Sequence, residues 1–333
     1  MKKFMNSADT ILAESLAGFA ATHADIVSLD RSGKFVRRAE LKSSKVALLS
    51  GGGSGHEPLH AGFVGLGMLD AACPGQVFTS PTPDQMLEAA QAVDSGAGVL
   101  FIVKNYEGDV MNFDMAAEML RDMAGIDVMQ LITNDDIAVE DSLFTTGRRG
   151  VAGTLVVEKI VGAAAEQGMG LSDLMTLGQR VNRQSKSFGV ALTSCTVPAA
   201  GKPTFELGPG EMEFGVGIHG EPGRRRAPLA SADDIAGEIC EGIVKEFGDV
   251  RGRNALLFVN GFGGTPLMEL YVMHNSARRI FERHGIRIAR SLTGSYVTSL
   301  DMAGCSITLT LMDDDMLALW DAPVHTAALR WSV

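Results

Sequence analysis

The sequence feature that most limits the fold is a repeated order of short apolar run, polar or glycine-rich loop, and helical segment. KVALLS (45–50) leads into GGGSGHEP (51–58), GVLFIVK (98–104) leads into a polar loop and the helical pattern of 111–123, and IDVMQLIT (126–133) leads into NDD. Apolar runs of this length predict buried strands, and the helices between them predict parallel connections. We therefore expect an α/β fold whose mixed sheets are covered by helices.

The length of the chain and a second group of the same signals predict two α/β domains. A chain of 333 residues exceeds one typical core. A helical pattern over 151–183, split by Gly168 and Gly170, is followed by an apolar run that predicts a new strand. We therefore expect domains of 1–185 and 186–333. The segments predicted beyond that division are strands over 188–194, 254–264, 286–294 and 306–313, a helix over 266–285, and a polar crossover over 224–234.

Charge and cysteine content limit the class of partner. The net charge of -11 argues against binding to nucleic acid or to an anionic membrane surface. No window approaches the ~18 uninterrupted apolar residues of a membrane span. The four cysteines are far apart, without CxxC and without a histidine at zinc-ligand spacing. We expect a soluble, cytoplasmic protein with reduced cysteines that binds no metal, nucleic acid or membrane.

Polar residues follow the predicted strands of the first half at three places. They are Gly51–His56, Lys104–Asp109 and Asn134–Asp136. Because ligands of open α/β sheets bind outside the carboxyl ends of the strands, we expect these segments to share one rim and one ligand. Another polar segment, EDSLFTTGRRG, adds Arg148 and Arg149, which are placed to meet a phosphate or simply a carboxylate.

Two histidines lie in similar glycine-rich loops, His56 in GGGSGHEP and His219 in GVGIHGEP. Successive glycines free backbone N–H groups for an anion, but the lysine and Ser/Thr of a phosphate-binding loop are missing. A tight turn that merely needs glycine is the alternative. Glycine neighbours let a ligand approach an imidazole, and Glu57 or Glu221 is placed to fix its tautomer. We interpret the remaining histidines as structural: His23, His60, His274, His284 and His325.

Hydroxyl and carboxylate groups near these loops add candidate chemistry. Asp109, in KNYEGD, follows a predicted strand end, where a carboxylate can act on a substrate proton. Its alternative role is an N-cap of the helix at 111–123. Thr79 and Ser80, in the proline-stiffened FTSPTPD, offer hydroxyl partners for a polyol.

Longer motifs extend in register from about residue 40 to the C-terminus. They are LLSGGGSGHEP, ACPGQVFTSPTPDQ, VKNYEGDVMNF, DSLFTTGRRGVAGT, CTVPAAGKP, EFGVGIHGEPG, GGTPLMELY, GSYVTSLDMAG and LWDAPVHT. Together they closely resemble the dihydroxyacetone kinase K subunit family, and the combination is far more specific than a glycine pattern alone. The resemblance implies a homodimer of two-domain α/β subunits in which dihydroxyacetone binds between the domains.

The resemblance also implies roles for the site residues. It implies that His219 bonds covalently to the substrate carbonyl as a hemiaminal, and the chemistry fits because neutral imidazole is a nucleophile. Since glycerol has no carbonyl, such a bond selects ketose over polyol. It further implies that His56 and Asp109 form the acid–base pair at the hydroxyl that receives phosphate, with His56 as proton acceptor. The substrate-binding residues that it implies are Gly53, Ser54, Gly55, His56, Ser80, Lys104 and Asp109.

The phosphate donor is expected on another protein. Phosphoryl transfer needs a positioned nucleotide and cations, and this sequence offers no nucleotide-binding loop and no cofactor site of its own. The resemblance implies a separate L subunit that carries ADP or ATP with Mg2+, and in bacterial systems a phosphotransferase-type M subunit. Two alternatives stay open: a kinase subunit for a four-carbon ketose such as erythrulose, and a non-catalytic ketose sensor or regulator.

Overall fold

The computed structural model describes residues 2–139 and 146–333, so residues 140–145 of the segment EDSLFTTGRRG lie outside the described residues. The α-helices are α1 (Ile11–Thr22), α2 (Pro83–Val93), α3 (Glu107–Met119), α4 (Gly153–Glu166), α5 (Leu171–Arg183), α6 (Ala232–Phe247), α7 (Leu267–Arg283) and α8 (Asp314–Asp321). The strands are β1 (Val27–Leu29), β2 (Val36–Arg38), β3 (Ala47–Ser54), β4 (Gly65–Leu66), β5 (Ala71–Val77), β6 (Val99–Lys104), β7 (Val128–Thr133), β8 (Ser185–Ala191), β9 (Glu211–Phe214), β10 (Arg225–Pro228), β11 (Asn254–Gly261), β12 (Arg287–Gly294), β13 (Gly304–Met312), β14 (Val324–Thr326) and β15 (Arg330–Trp331).

The first sheet has its strands in the order β1-β2-β5-β3-β6-β7. The strands from β5 to β7 run parallel, and β1 and β2 form an antiparallel edge. Successive side chains of β3 face opposite sides. Leu49 lies in a core with Met86 of α2 and Phe113 of α3, whereas Leu48 lies in a core with Leu155 of α4. Helices therefore cover both faces of this sheet, as the sequence predicts.

The second sheet has the order β10-β9-β8-β13-β11-β12. β11 and β12 run parallel, and the other described neighbours are antiparallel. Leu257 of β11 lies in a core with Ile239 of α6 and Phe281 of α7. Phe258 shares the core of Leu155 in α4. Both sheets are thus mixed and helix-covered, which confirms the predicted fold class, and α4 contributes to the core between them.

A small third sheet connects the C-terminal segment with the first half of the chain. Its order is β15-β14-β4, and His325 of β14 pairs with Leu66 of β4. The C-terminal segment therefore returns to the first half, and His325 lies within a strand. The division at residue 185 stays a prediction, since this sheet joins residues from both sides of it.

Several predicted boundaries differ from the structure, among them the strand predicted over 188–194, which is β8 at Ser185–Ala191. β3 continues through the glycines to Ser54. Helix α3 begins at Glu107, earlier than the predicted start at residue 111, and acidic side chains in its first turn favour that start. The segment 224–234, predicted as a crossover, contains edge strand β10, where the terminal Pro228 costs no ladder hydrogen bond. Within residues 2–139 and 146–333, no helix combines the length and apolar character needed to cross a bilayer.

Candidate active site between the two sheets

The glycines after KVALLS continue strand β3 beside β5. A Cβ on Gly51 would lie 2.6 Å from the carbonyl oxygen of Cys73, and a Cβ on Gly53 would lie 2.6 Å from the backbone nitrogen of Thr79. Neighbouring backbone therefore leaves no room for a side chain. The expectation that Gly51–Ser54 forms a loop is wrong: the glycines allow close strand packing, which brings the following residues to the rim of the sheet.

His56 follows the end of this strand with its imidazole in a fixed orientation. Gly55 has φ +103°, and its N–H is accepted by the Glu57 carboxylate at 3.0 Å. Nδ1 of His56 lies 2.8 Å from the carbonyl oxygen of Thr298. Because a carbonyl only accepts hydrogen bonds, Nδ1 carries the proton and Nε2 keeps its lone pair. Nε2 is buried and has no partner among the described residues, which suits a proton acceptor.

His219 reaches the same place from the second sheet, in the segment after β9. The Glu221 carboxylate accepts the backbone N–H of His219 at 3.0 Å and lies 3.1 Å from Nη1 of Arg149. Nη2 of Arg149 lies 2.6 Å from Oδ2 of Asp136. These three charged side chains are buried, so the first half holds the loop of the second. The predicted tautomer-fixing role of Glu57 and Glu221 is wrong, because both carboxylates accept backbone N–H groups.

Aromatic rings surround the His219 imidazole. The His56 ring lies edge-on at a centroid distance of 4.7 Å, Tyr106 at 4.2 Å and Phe78 at 5.5 Å. Phe78 also stacks on His56 at 5.1 Å. Ring packing therefore sets the position of His219, whose own Nδ1 is buried and has no hydrogen-bond partner among the described residues.

A cavity of about 480 Å³ opens beside these rings. Four of the predicted site residues line it: Gly53, Ser80, Asp109 and His219. The other lining residues are Phe78, Thr79, Tyr106, Glu107, Gly108 and Asn112. The volume is ample for a small ligand, and the lining offers a carboxylate, hydroxyls and an imidazole.

Asp109 lies in the first turn of α3, two residues after its start at Glu107, and not at the N-cap. Its side chain is buried, with Oδ2 3.6 Å from Nζ of Lys104 and Oδ1 without a partner among the described residues. Lys104 ends β6 and is fully buried. The carboxylate is thus backed by a cation and presents a free oxygen.

Burial sets the protonation of these groups. It is the main cause that lowers the pKa of His219 to about 3, with the nearby cations Lys104 and Arg149 acting in the same direction. Burial likewise keeps the pKa of His56 well below its ordinary value, with His219 and Lys104 adding to it. Burial raises the pKa of Asp109, and Lys104 opposes that shift. Both imidazoles are therefore neutral at neutral pH.

The other predicted site residues serve the framework. Ser54 Oγ donates to the carbonyl oxygen of Gly75 at 2.7 Å. Arg148 contacts Glu246 at the surface, so both arginines of the GRRG segment meet carboxylates. The three predicted strand-end segments do meet at one rim, since Asp136 holds the arginine that anchors the His219 loop.

Sequence reasoning missed several residues that shape the site. Phe78 and Tyr106 lie within the family motifs, close to predicted site residues, but no sequence pattern indicates that their rings contact His219. Thr298 lies 242 positions from the histidine that it orients. In the described part of the chain, no group of three or more His, Cys, Asp or Glu side chains is arranged to hold a metal ion.

Comparison with known proteins identifies the family. The sequence pattern of the Dak1 domain matches residues 17–328. The chain belongs to the Dak1 family. The predicted resemblance is confirmed by an Escherichia coli relative, the dihydroxyacetone-binding subunit of a PEP-dependent dihydroxyacetone kinase, which is 49% identical over 99% of both chains.

Two solved structures share the fold of this chain. A dihydroxyacetone kinase operon co-activator is 36% identical with a TM-score of 0.88, covering 95% of this chain and 97% of that one. The dihydroxyacetone kinase from C. freundii in complex with AMP-PNP and Mg2+ is 33% identical with a TM-score of 0.87. That match covers 98% of this chain but 60% of the C. freundii chain.

Proposed function

We propose that this protein is the dihydroxyacetone-binding subunit of a dihydroxyacetone kinase, a phosphotransferase with an alcohol acceptor. One observation carries the proposal: neutral imidazoles from opposite sheets, His56 and His219, lie 4.7 Å apart beside a cavity lined by Asp109. A ketose offers a carbonyl for one imidazole and a hydroxyl proton for the other. Family membership and the E. coli relative support the same substrate.

The first step is capture of the ketose by His219. A lone pair of the neutral imidazole adds to the carbonyl carbon, the carbonyl oxygen gains a proton, and the second ring nitrogen loses one, so a neutral hemiaminal forms without loss of atoms. Because the pKa of His219 is about 3, the nucleophilic form prevails at neutral pH. Of its ring nitrogens, Nδ1 is buried, which leaves Nε2 for the ligand.

The second step is phosphorylation of a substrate hydroxyl. Nε2 of His56, the nitrogen with the free lone pair, accepts the hydroxyl proton as that oxygen attacks the terminal phosphorus of the donor. The Asp109 carboxylate orients the same hydroxyl through its unpaired Oδ1. The products are dihydroxyacetone phosphate and the donor nucleotide shortened by one phosphate. Gly53, Ser54, Gly55, Ser80 and Lys104 complete the substrate-binding set of this proposal.

The nucleotide belongs to a partner in this proposal. The E. coli relative, matched over 99% of both chains, is named as a dihydroxyacetone-binding subunit, and we place ADP or ATP with Mg2+ on a separate L subunit. The PEP-dependent E. coli relative favours a phosphotransferase-type M subunit as the donor to that nucleotide. We further propose a cytoplasmic homodimer, with each subunit divided into domains 1–185 and 186–333.

Two other functions remain as candidates. The cavity of about 480 Å³ has room for a fourth carbon, so erythrulose is a candidate substrate. The operon co-activator with the same fold favours a ketose-responsive regulator as the second candidate. A regulator needs a residue that recognises the ketose but does not need the base His56.

The test combines mass spectrometry with reconstitution. Native mass spectra of the protein with dihydroxyacetone should gain the mass of one ketose, whereas glycerol and His219→Ala should give no gain. The protein is then assayed with a matching L subunit and either ATP or phosphorylated M subunit. Absence of the adduct on the wild-type chain would exclude covalent capture. An adduct without turnover by either donor would indicate a regulator, and faster turnover of erythrulose would indicate the four-carbon substrate.

A further inference from the structure

A buried polar network connects Glu158 and His60 to Lys104 and to Asp109, which lines the cavity. We infer that Glu158 and His60 are positioning residues that hold the Lys104 ammonium beside Asp109 and thereby keep the Asp109 carboxylate charged and aimed at the substrate. The inference deepens the proposed function, because Asp109 acts on substrate only if that function holds. His60 and Glu158 lie outside the set of site residues that the sequence predicts.

The network begins at Lys104, which ends β6 and is fully buried. Its Nζ lies 3.0 Å from Nε2 of His60, 3.4 Å from the carbonyl oxygen of Gly51 and 3.6 Å from Oδ2 of Asp109. A side chain on Gly52 would collide with this ammonium group. The glycine strand therefore also provides the space that the lysine occupies.

The chemistry of these contacts fixes the proton on His60. An ammonium group only donates hydrogen bonds, so Nε2 of His60 must be the acceptor and Nδ1 must carry the proton. Nδ1 lies 2.7 Å from Oε1 of Glu158, which accepts that proton. Ser50 completes the surroundings: its Oγ lies 3.0 Å from Nδ1 and donates to a backbone carbonyl at 2.6 Å. The order Glu158–His60–Lys104–Asp109 follows from donors and acceptors alone.

The network runs from the core to the cavity. Glu158 lies on α4, whose residues from Gly153 to Ala165 are all buried. Buried polar groups cost stability unless they are paired, and this chain of contacts ends at the carboxylate that lines the cavity. If Glu158 and His60 served only the packing of the core, they would not need to contact the ammonium group of Lys104 beside the cavity.

The charges around the ammonium group support this order. The charge of Lys104 lowers the pKa of each titratable group around it: Asp109, His60, His56, His219 and Glu158. The Asp109 charge in turn helps to raise the pKa of Tyr106. Burial and the lysine keep the pKa of His60 well below its ordinary value, so its Nε2 is free to accept. Burial raises the pKa of Glu158 to about 8. Lys104, and after it a hydrogen bond with Ser80, opposes the raised pKa of Asp109.

Two substitutions of His60 separate the positioning role from general packing. His60→Gln can retain an acceptor near the Nε2 position, whereas His60→Leu removes it and leaves the buried ammonium one partner short. The ammonium group then lacks the acceptor that holds it beside Asp109, and Asp109 loses its neighbouring charge. We expect the pKa of Asp109 to rise by about one to three units in His60→Leu and by the same amount in the benchmark Lys104→Met. It should change little in His60→Gln.

The readout is the carboxyl 13C titration of Asp109 in protein labelled at aspartate, with Asp109→Asn assigning the signal. This measurement needs no substrate or partner, so it tests the inference even if reconstitution shows no kinase activity. In the reconstituted enzyme, the acid limb of the kcat/KM profile should move upward by the same amount in His60→Leu. An unchanged Asp109 titration in folded His60→Leu, or a downward shift, would overturn the inference.

A measurement on the wild-type protein covers the case in which His60→Leu does not fold. The ring nitrogens of His60 in 15N-histidine-labelled protein should report a protonated Nδ1 and a bare Nε2 at neutral pH. A protonated Nε2 would make the lysine contact impossible and overturn the inference. Glu158→Gln, which keeps an acceptor oxygen, should preserve this tautomer, and loss of the tautomer in that variant would remove Glu158 from the network.

Discussion

The two histidine loops look alike in sequence and differ in how they hold their rings. Each places a glutamate before a proline, and each glutamate accepts the backbone N–H two residues earlier: Glu57 from Gly55 and Glu221 from His219. The position of the histidine relative to the anchored backbone N–H differs by one residue between the two loops. His56 follows the anchored amide, whereas His219 supplies it.

This offset leads to different ring environments. The His56 ring is oriented by a hydrogen bond to Thr298, whereas the His219 ring is positioned by the rings of Tyr106, Phe78 and His56. A proton acceptor needs a defined tautomer and direction. A carbonyl-capturing imidazole must lose the proton of its second ring nitrogen as the hemiaminal forms, and no hydrogen bond among the described residues holds a proton on Nδ1 of His219.

The two loops are anchored reciprocally. The N–H groups of Thr298 and Leu300, between β12 and β13, donate to the carbonyl oxygens of His56 and Gly55 at 3.2 and 2.8 Å. The His219 loop is held by Arg149 from the first half. Each sheet therefore positions the histidine loop of the other, and the site exists only while the halves remain together.

The largest expected effect separates the roles of the two rings. His56→Ala should lower turnover by about 10²–10⁴-fold, the usual contribution of a general base, while the ketose adduct on His219 persists. Turnover with the L subunit and the adduct mass are measured on the same preparation. His284→Ala, at a surface histidine paired with Glu241, is the control and should leave both unchanged. Loss of the adduct in His56→Ala would mean that the two rings share one role.

The next effect tests the reciprocal anchoring. Arg149→Met leaves the buried carboxylates of Asp136 and Glu221 without their cation and should lower the free energy of unfolding by about 3–5 kcal/mol. Arg148→Met removes a neighbouring arginine whose partner is at the surface, and should cost less than about 1 kcal/mol. Urea denaturation of both variants measures the difference. Equal losses would show that the His219 loop does not depend on this cluster.

The sequence predicts one of these two loops better than the other. The strands around His56 follow from apolar runs, but the extension of β3 to Ser54 depends on the close approach of β5, which no local pattern contains. We interpret His60 as structural from the sequence because a lone histidine is more often a surface or core residue, and its partner Glu158, 98 positions away, leaves no local signal. The His219 loop depends on Arg149, 72 positions from Glu221, so its anchoring was also out of reach of local spacing. The family motifs indicate which residues form the site. What each residue contacts depends on pairs far apart in the sequence, such as His60 with Glu158 and Arg149 with Glu221.

A smaller effect compares the two glutamates directly. Glu57 is exposed and Glu221 is buried against Arg149. Glu57→Gln keeps an acceptor oxygen at the surface and should lower the free energy of unfolding by less than about 1 kcal/mol, whereas Glu221→Gln weakens a buried charged hydrogen bond and should cost about 1.5–3 kcal/mol. Thermal unfolding of the matched pair decides the order. A larger loss in Glu57→Gln would reverse the assigned importance of the two anchors.

The smallest expected effect is the pH response of ketose capture. Neutral imidazole is the nucleophile, and because the pKa of His219 is about 3, the neutral form should prevail throughout pH 5–8. The rate of adduct formation should therefore be nearly flat across that range and fall only as pH approaches 3. An imidazole with an ordinary pKa of ~6.5 would instead lose roughly thirtyfold in its neutral form by pH 5.

Native mass spectra recorded at successive times after mixing give the rate of adduct formation at each pH. Circular dichroism checks that the protein stays folded. His56→Asn is the matched control, because it removes the second imidazole and should leave the profile flat. A rate that halves near pH 6.5 in both proteins would mean that His219 is protonated more readily than its burial implies. A profile that becomes flat only in His56→Asn would assign the titration to His56. The proposed division, with His56 as a hydrogen-bonded base and His219 as a nucleophile positioned by ring packing, would then be wrong.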